Sequence, residues 1–140
     1  QNIKKGNKMF KYIKFEKVET EFTVLEFRGQ SEDVKVNYFD VDVVSLNGSE
    51  ADIDALVDAQ ADEINCVEIT QIEFKELVSE STQLNRIREV VASEIAKRYT
   101  IADEIAISKR AADDVKRVDY EAYVNECLSI GYGLKAEIGY

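Results

Sequence analysis

The sequence predicts an α+β fold: an antiparallel, β-rich N-terminal lobe with one short helix, followed by a helical C-terminal region of three to four helices. Three observations carry this expectation. Apolar residues alternate through the first part of the 140-residue chain, then recur every three or four positions towards its end. The two patterns are segregated, which argues against a doubly wound parallel sheet. Ser or Thr followed three positions later by an acid marks helix starts at Ser49, Thr70 and Thr100. The predicted lobes are 9–80 and 82–140. Residues 1–8 read as an expression remnant or a flexible arm ahead of Met9, the only methionine.

Taken in order, Ile13 and Phe15 alternate with Tyr12 and Lys14. Phe22 and Val24 alternate with Thr23, and Leu25 and Phe27 follow on the opposite parity. The polar stretch from Arg28 to Asp33 has turn chemistry. Val34, Val36 and Tyr38 share one parity, and Phe39, Val41 and Val43 take the other. That switch predicts a bulge, or a strand covered on both faces. A hairpin or meander is the expected arrangement. Asn47-Gly48 tolerates positive φ and predicts a break, after which Ser49 caps a short helix with Ile53, Leu56 and Val57 on its inner face. A strand is expected over 64–69. Thr70 then caps a helix with Phe74, Leu77 and Val78 on one face.

The remainder is helical. Leu84, Ile87, Val91, Ile95 and Tyr99 fall on one face, and Glu94 and Arg98 are spaced as an i,i+4 ion pair. The chain bends at Tyr99-Thr100. The next helix carries Ile101, Ile105 and Ala112 as its apolar positions, and a charged connection runs from Asp113 to Arg117. The last helix has the cleanest stripe: Tyr120, Tyr123, Val124, Cys127, Leu128, Leu134 and Ile138. Gly131 and Gly133 interrupt it, each costing a helix interior about 0.8–1.0 kcal/mol against alanine. Either the helix ends or kinks there, or the glycines allow a neighbouring element to approach closely.

Composition excludes several function classes. A hydrophobic share of 45% with 33% charged residues is a globular balance rather than a disordered one. No apolar run reaches the ~20 residues of a membrane span, and the lysines at the start precede no apolar segment of a signal peptide. Net charge is −10. Residues 1–19 are locally basic, whereas residues 40–80 hold twelve acids and only Lys75. Nucleic-acid binding needs the opposite sign on the body of the protein. Cys66 and Cys127 read as buried free thiols in a reducing compartment.

No motif names a reaction. Without histidine the common general base is missing, and two cysteines cannot build a zinc site of the usual kind. Asp52, Asp54, Asp58 and Glu63 match the spacing of a calcium loop, but Val57 stands where glycine is needed and Leu56 where an oxygen ligand is expected. These acids read as the solvated face of a helix. No catalytic residue, metal ligand or cofactor site is expected. Asn125, Ser129, Tyr132, Ala136 and Tyr140 lie near one face of the last helix and are the candidate partner-binding residues, because tyrosine buries a large ring while its hydroxyl stays hydrogen-bonded.

The last two fifths of the chain carry a resemblance. Arg86-Ile87-Arg88-Glu89-Val90-Val91, Ile95-Ala96-Lys97-Arg98-Tyr99-Thr100, Asp103-Glu104-Ile105-Ala106 and Tyr120-Glu121-Ala122-Tyr123-Val124-Asn125-Glu126-Cys127 resemble a C-terminal region of small bacteriophage and prophage tail-associated proteins, some linked to tail fibres and baseplates. The resemblance implies a structural or assembly role without enzymatic activity, in the host cytoplasm or the virion. Its expected partners are a tail component or further copies of the chain, with no nucleic acid and no membrane. A rival expectation is a small acidic regulator or inhibitor whose 40–80 segment docks a basic protein surface.

Overall fold

The computed structural model describes residues 7–29 and 31–140. Most of the expected N-terminal arm, including Lys4 and Lys5, and Gln30 of the expected turn lie outside the described residues. The fold is α+β: antiparallel sheets with a short helix come first, and helices complete the chain. The chain divides into two compact units. The first comprises residues 1–83 together with 138–140, and the second comprises residues 84–137.

The first unit is built on four antiparallel strands. They are β1 (Met9–Lys14), β4 (Lys35–Tyr38), β5 (Val43–Gly48) and β6 (Val67–Ile69), in the order β4-β5-β1-β6. β1 runs against β5 from Met9↔Gly48 to Lys14↔Val43 and against β6 from Tyr12↔Ile69 to Lys14↔Val67. The strand expected through Phe22 to Phe27 shrinks to a two-residue ribbon, β2 (Val18–Glu19) with β3 (Val24–Leu25). Phe22 at its tip is 88% exposed. The parity switch at Tyr38-Phe39 is neither a bulge nor a doubly covered strand. The chain reverses through residues 39–42, and Tyr38 pairs with Val44 across the resulting hairpin.

The inner strands are covered on both faces. On one side Ile13, Val44 and Leu46 pack with Phe15, Phe27 and Ile64, and with Ile53 of α1 (Glu50–Asp58). On the other, Tyr12 packs against Phe74 of α2 (Gln71–Val78) at 4.5 Å between ring centroids, and Phe39 meets the same ring edge-on at 5.3 Å. Both helices begin where the caps predict. Ser49 Oγ accepts from the Asp52 amide at 3.2 Å, and Thr70 Oγ1 accepts from the Glu73 amide, also at 3.2 Å. Leu77, expected on the inner face of α2, is exposed. The strand expected over 64–69 is shortened by a 3₁₀ turn (Asp62–Ile64), after which Asn65 takes a left-handed conformation, φ 48°.

Gly48 corrects the expectation of a positive-φ break. It sits inside β5, and a Cβ there would lie 2.7 Å from the Asp33 carbonyl oxygen, so the glycine serves a close backbone approach. The conformation reserved for glycine occurs instead at Gly139, φ 82°. Ile138–Tyr140 belong to the first unit. The Ile138 carbonyl accepts from Ser45 Oγ at 2.7 Å, and the Gly139 carbonyl accepts from the Tyr12 hydroxyl at 2.6 Å and from Gln71 Nε2 at 3.1 Å. Two polar groups in the layer between sheet and α2 thus find acceptors in the tail, as buried donors require.

The second unit holds α3 from Leu84 onward (the whole helix is Thr82–Ala96), α4 (Ile101–Ser108) and α5 (Val115–Glu137). Thr100 and Asp103 form the complete reciprocal capping box. The amide of Asp103 donates to Thr100 Oγ1 at 3.1 Å, and Asp103 Oδ2 accepts from the Thr100 amide at 2.8 Å. The Thr100 backbone amide first, and the Thr100 hydroxyl second, hold the Asp103 carboxyl below the ordinary aspartate range. α5 starts inside the connection that looked merely charged, and it runs unbroken through both glycines for 23 residues. The expected Glu94–Arg98 pair does not form. Glu94 accepts from Lys97 at 2.6 Å, while the Arg98 guanidinium lies over the Tyr123 ring, 4.3 Å from its centroid.

Candidate functional site

The strongest candidate site is a groove within the second unit, between α3 and α5. The two helices run antiparallel. Tyr123 near the start of α5 donates its hydroxyl to the Glu94 carbonyl near the end of α3, while Gly131, further along α5, lies against Val91 and Ile87, earlier in α3. A Cβ on Gly131 would fall 2.7 Å from Val91 Cγ2. Close approach at one point is therefore what this glycine supplies, and the alternative of a helix end or kink is not realised. Gly133 faces open space and supplies no such contact.

Around that contact the helices leave a groove of about 250 Å³. Its floor is apolar: Ile87, Val91 and Ile95 from α3, with Leu128 and Gly131 from α5. Ala92 and Tyr132 form the lips, and Tyr132 is 62% exposed. Arg88 and Lys135 complete the lining, and no carboxylate contributes to it. Arg88 donates to Asn85 Oδ1 at 2.7 Å, and the Lys135 ammonium lies 5.9 Å from the Tyr132 ring centroid. On a chain of net charge −10 this makes an apolar slot with a locally positive rim.

The candidate partner-binding residues divide. Asn125, Ser129, Tyr132 and Ala136 recur along one exposed face of α5, and Tyr132 alone of the four lines the groove. Tyr140 lies beyond the helix and in the first unit, where the Lys75 ammonium sits 5.2 Å from its ring centroid. Sequence reading missed Arg88, Ala92 and Lys135. It took Ile87, Val91 and Ile95 as an ordinary core stripe; Ile87 is buried but Val91 and Ile95 are only half-covered. The available signal was Gly131, whose cost to a helix called for a close neighbour.

The end of this helical unit opposite the groove's Gly131 contact is held by tyrosines. Tyr99 meets Tyr120 edge-on at 4.9 Å and lies 5.8 Å from Tyr123. Tyr120 donates to Glu104 Oε1 at 3.1 Å. Burial first, and the Glu104 carboxylate second, push the Tyr120 phenol above its ordinary value, so it stays a neutral donor. Nearby, Arg98, Arg110 and Lys116 surround Asp103 in a shallow depression, where Arg110 already pairs with Asp114 at 3.3 Å.

α4 departs from the expected pattern in a way that bears on contact. Ile107 is its buried residue, whereas Ile101 and Ile105 are 77% and 54% exposed. Ala112, expected on the same helix, lies beyond its end. The acids that mimic a calcium loop do not form one: Asp52, Asp54 and Asp58 are on α1, and Glu63 is in the 3₁₀ turn. Lys11 of β1 reaches across to Asp54 at 3.1 Å, Glu68 at 3.3 Å and Glu50 at 3.7 Å. The Asp54 hydrogen bond leads the effects that raise the Lys11 pKa. Cys66 and Cys127 are free thiols; Cys127 is buried, Cys66 half-buried, and burial raises the Cys66 thiol.

Among the described residues no helix is long and apolar enough to cross a membrane. No protein-family model matches the chain, and no curated protein or solved structure matches it significantly.

Proposed function

We infer that this protein is a non-enzymatic structural or assembly component that works by protein–protein contact through its helical C-terminal half. The observation that carries this reading is the α3–α5 groove, apolar along its floor and bounded by Arg88 and Lys135 with no carboxylate in its lining. Such a slot suits an apolar helix or strand that carries acids beside its apolar anchors. The resemblance of the 84–140 region to phage and prophage tail-associated proteins supports a tail component as the setting.

The second reading is an acidic regulator that docks a basic surface through α1. Its support is that Asp52 and Asp58 are exposed on that helix, clear of the Lys11 contacts that occupy Glu50 and Asp54. One experiment separates the two. The tagged protein is used to capture partners from a phage-producing lysate, beside two variants, Ala92→Glu at the groove lip and Asp52→Lys with Asp58→Lys on α1. Groove-based contact predicts that Ala92→Glu loses the captured partner and the α1 variant keeps it. The reverse outcome establishes the regulator reading, and capture indifferent to both variants removes the groove from the function.

A further inference from the structure

We propose that the face of the sheet beneath α2 carries a peptide-recognition seat, specific for a main-chain segment in which glycine precedes an aromatic residue, and that residues 138–140 are its built-in occupant. The seat lies wholly in the first unit. It goes beyond the contact reading above, because it makes no use of the α3–α5 groove.

Strand register builds the seat. Asn37 pairs with Ser45, and Ser45 pairs with Tyr12, so the three stand side by side across β4, β5 and β1. Directly opposed residues share one face of a sheet. The Tyr12 contact with Phe74 shows that this is the face covered by α2. Val44 and Leu46, either side of Ser45, turn the other way into the apolar core. Asn37 donates to Ser45 Oγ at 3.0 Å and so steadies the hydroxyl that donates to the Ile138 carbonyl at 2.7 Å. The next carbonyl, of Gly139, accepts from Tyr12 and from Gln71 in the first turn of α2. Donors from three elements thus hold two consecutive carbonyls. Ser45 and Tyr12 are both buried, so an empty seat would leave buried donors unpaired.

Carbonyls carry no sequence information, and two further contacts supply it. Gly139 holds φ 82°, and a Cβ there would lie 2.8 Å from Phe10 Cδ1 and 3.1 Å from Tyr12 Cε1, so only glycine fits. Lys75 stands one turn beyond Gln71 on α2 and sets its ammonium 5.2 Å from the Tyr140 ring centroid. Main-chain bonds for affinity with a few side-chain positions for specificity are the usual means of capturing a short peptide. An external segment of the same chemistry gains the seat only by displacing residues 138–140, so the contact is autoinhibitory.

The test uses the full chain and a synthetic peptide of residues 135–140. Gly139→Val keeps the seat but evicts the built-in segment, because a β-branched residue does not tolerate that φ. Nitrogen-15 spectra of this variant, titrated with peptide to millimolar concentration, should show saturable shifts at Phe10, Tyr12, Ser45 and Gln71. Wild type should bind about tenfold or more weakly, since its own segment competes at high effective concentration. Adding Tyr12→Phe, which removes one hydroxyl and leaves nothing unpaired, should weaken peptide binding by about two- to tenfold. A peptide with alanine in place of Gly139 should not bind.

The urea midpoint gives a second reading if Gly139→Val is poorly folded: the peptide should raise it, or restore the helical signal, in the variant and not in wild type. Absence of both binding and stabilisation in Gly139→Val overturns the proposal. So does equal binding of the alanine peptide, or a wild type that binds as tightly as the variant.

Discussion

Gly131 and Gly133 have opposite roles in one helix, and alanine at each position should reveal it. Both substitutions remove the same intrinsic penalty, about 0.8–1.0 kcal/mol for glycine against alanine in a helix interior. At Gly133 nothing lies within 4 Å of the new Cβ, so Gly133→Ala should gain most of that amount. At Gly131 the new Cβ would meet Val91 Cγ2 at 2.7 Å. Valine is stiff at χ1, so the methyl cannot swing away cheaply and α3 and α5 must part instead. Overpacking of this kind costs about 1–3 kcal/mol. The propensity gain offsets part of that cost, leaving Gly131→Ala destabilised by up to about 2 kcal/mol. The two variants should therefore straddle the wild type. Urea denaturation followed by circular dichroism at 222 nm measures the difference as a shift in midpoint at constant slope. A cycle with Val91→Ala supplies an internal control: the clash is absent in the double variant, so the coupling should be favourable, on the order of 1 kcal/mol. If Gly131→Ala stabilises the protein as much as Gly133→Ala, the close approach of α3 and α5 is not what the glycine serves, and the groove's geometry loses its basis.

Two further outcomes concern the first unit and the α4 cap. Gly139→Ala forces an L-residue to φ 82° and drives a Cβ to 2.8 Å from the Phe10 ring; it should destabilise the protein by roughly 2–4 kcal/mol, and an unchanged denaturation midpoint would show that the tail does not anchor on the sheet. Acidification acts through Asp103, depressed by the Thr100 amide and then its hydroxyl, and through Asp40, depressed by the Thr82 hydroxyl and then its amide. Both folded values lie below the unfolded aspartate value of about 3.9, so the unfolded chain takes up protons first. Their contribution is complete above about pH 5 and disappears as pH falls through the folded values. Denaturation midpoints at pH 7, 5 and 3 should show a smaller acid loss in Asp40→Asn with Asp103→Asn than in wild type; parallel curves would refute the assignment.

The local signals were the legible ones. Ser49, Thr70 and Thr100 each cap a helix, because a side-chain oxygen and an amide three residues on are brought together by the backbone alone. The α+β segregation and the apolar stripes of α3 and α5 follow from periodicity in the same way. The reversal at residues 39–42 was harder to read, since Phe39, Val41 and Val43 continue an apolar alternation and only pairing with β5 shows where the strand stops. The groove was half legible. Tyr132 stood out by its chemistry, whereas Arg88, Ala92 and Lys135 become a set only when α3 and α5 are laid side by side.

The order of helices and strands, the three capped starts and the uneven charge were thus written in residues close together along the chain, where a few backbone torsions decide the outcome. Tertiary packing decided the rest. It made Gly48 a point of backbone approach, turned Gly131 into the contact between two helices, and sent Ile101 and Ile105 outward while burying Ile107. Apolar spacing says that a helix has a face. Which face is covered depends on where neighbours distant in sequence come to lie, and that is settled by the competition among all buried surfaces at once.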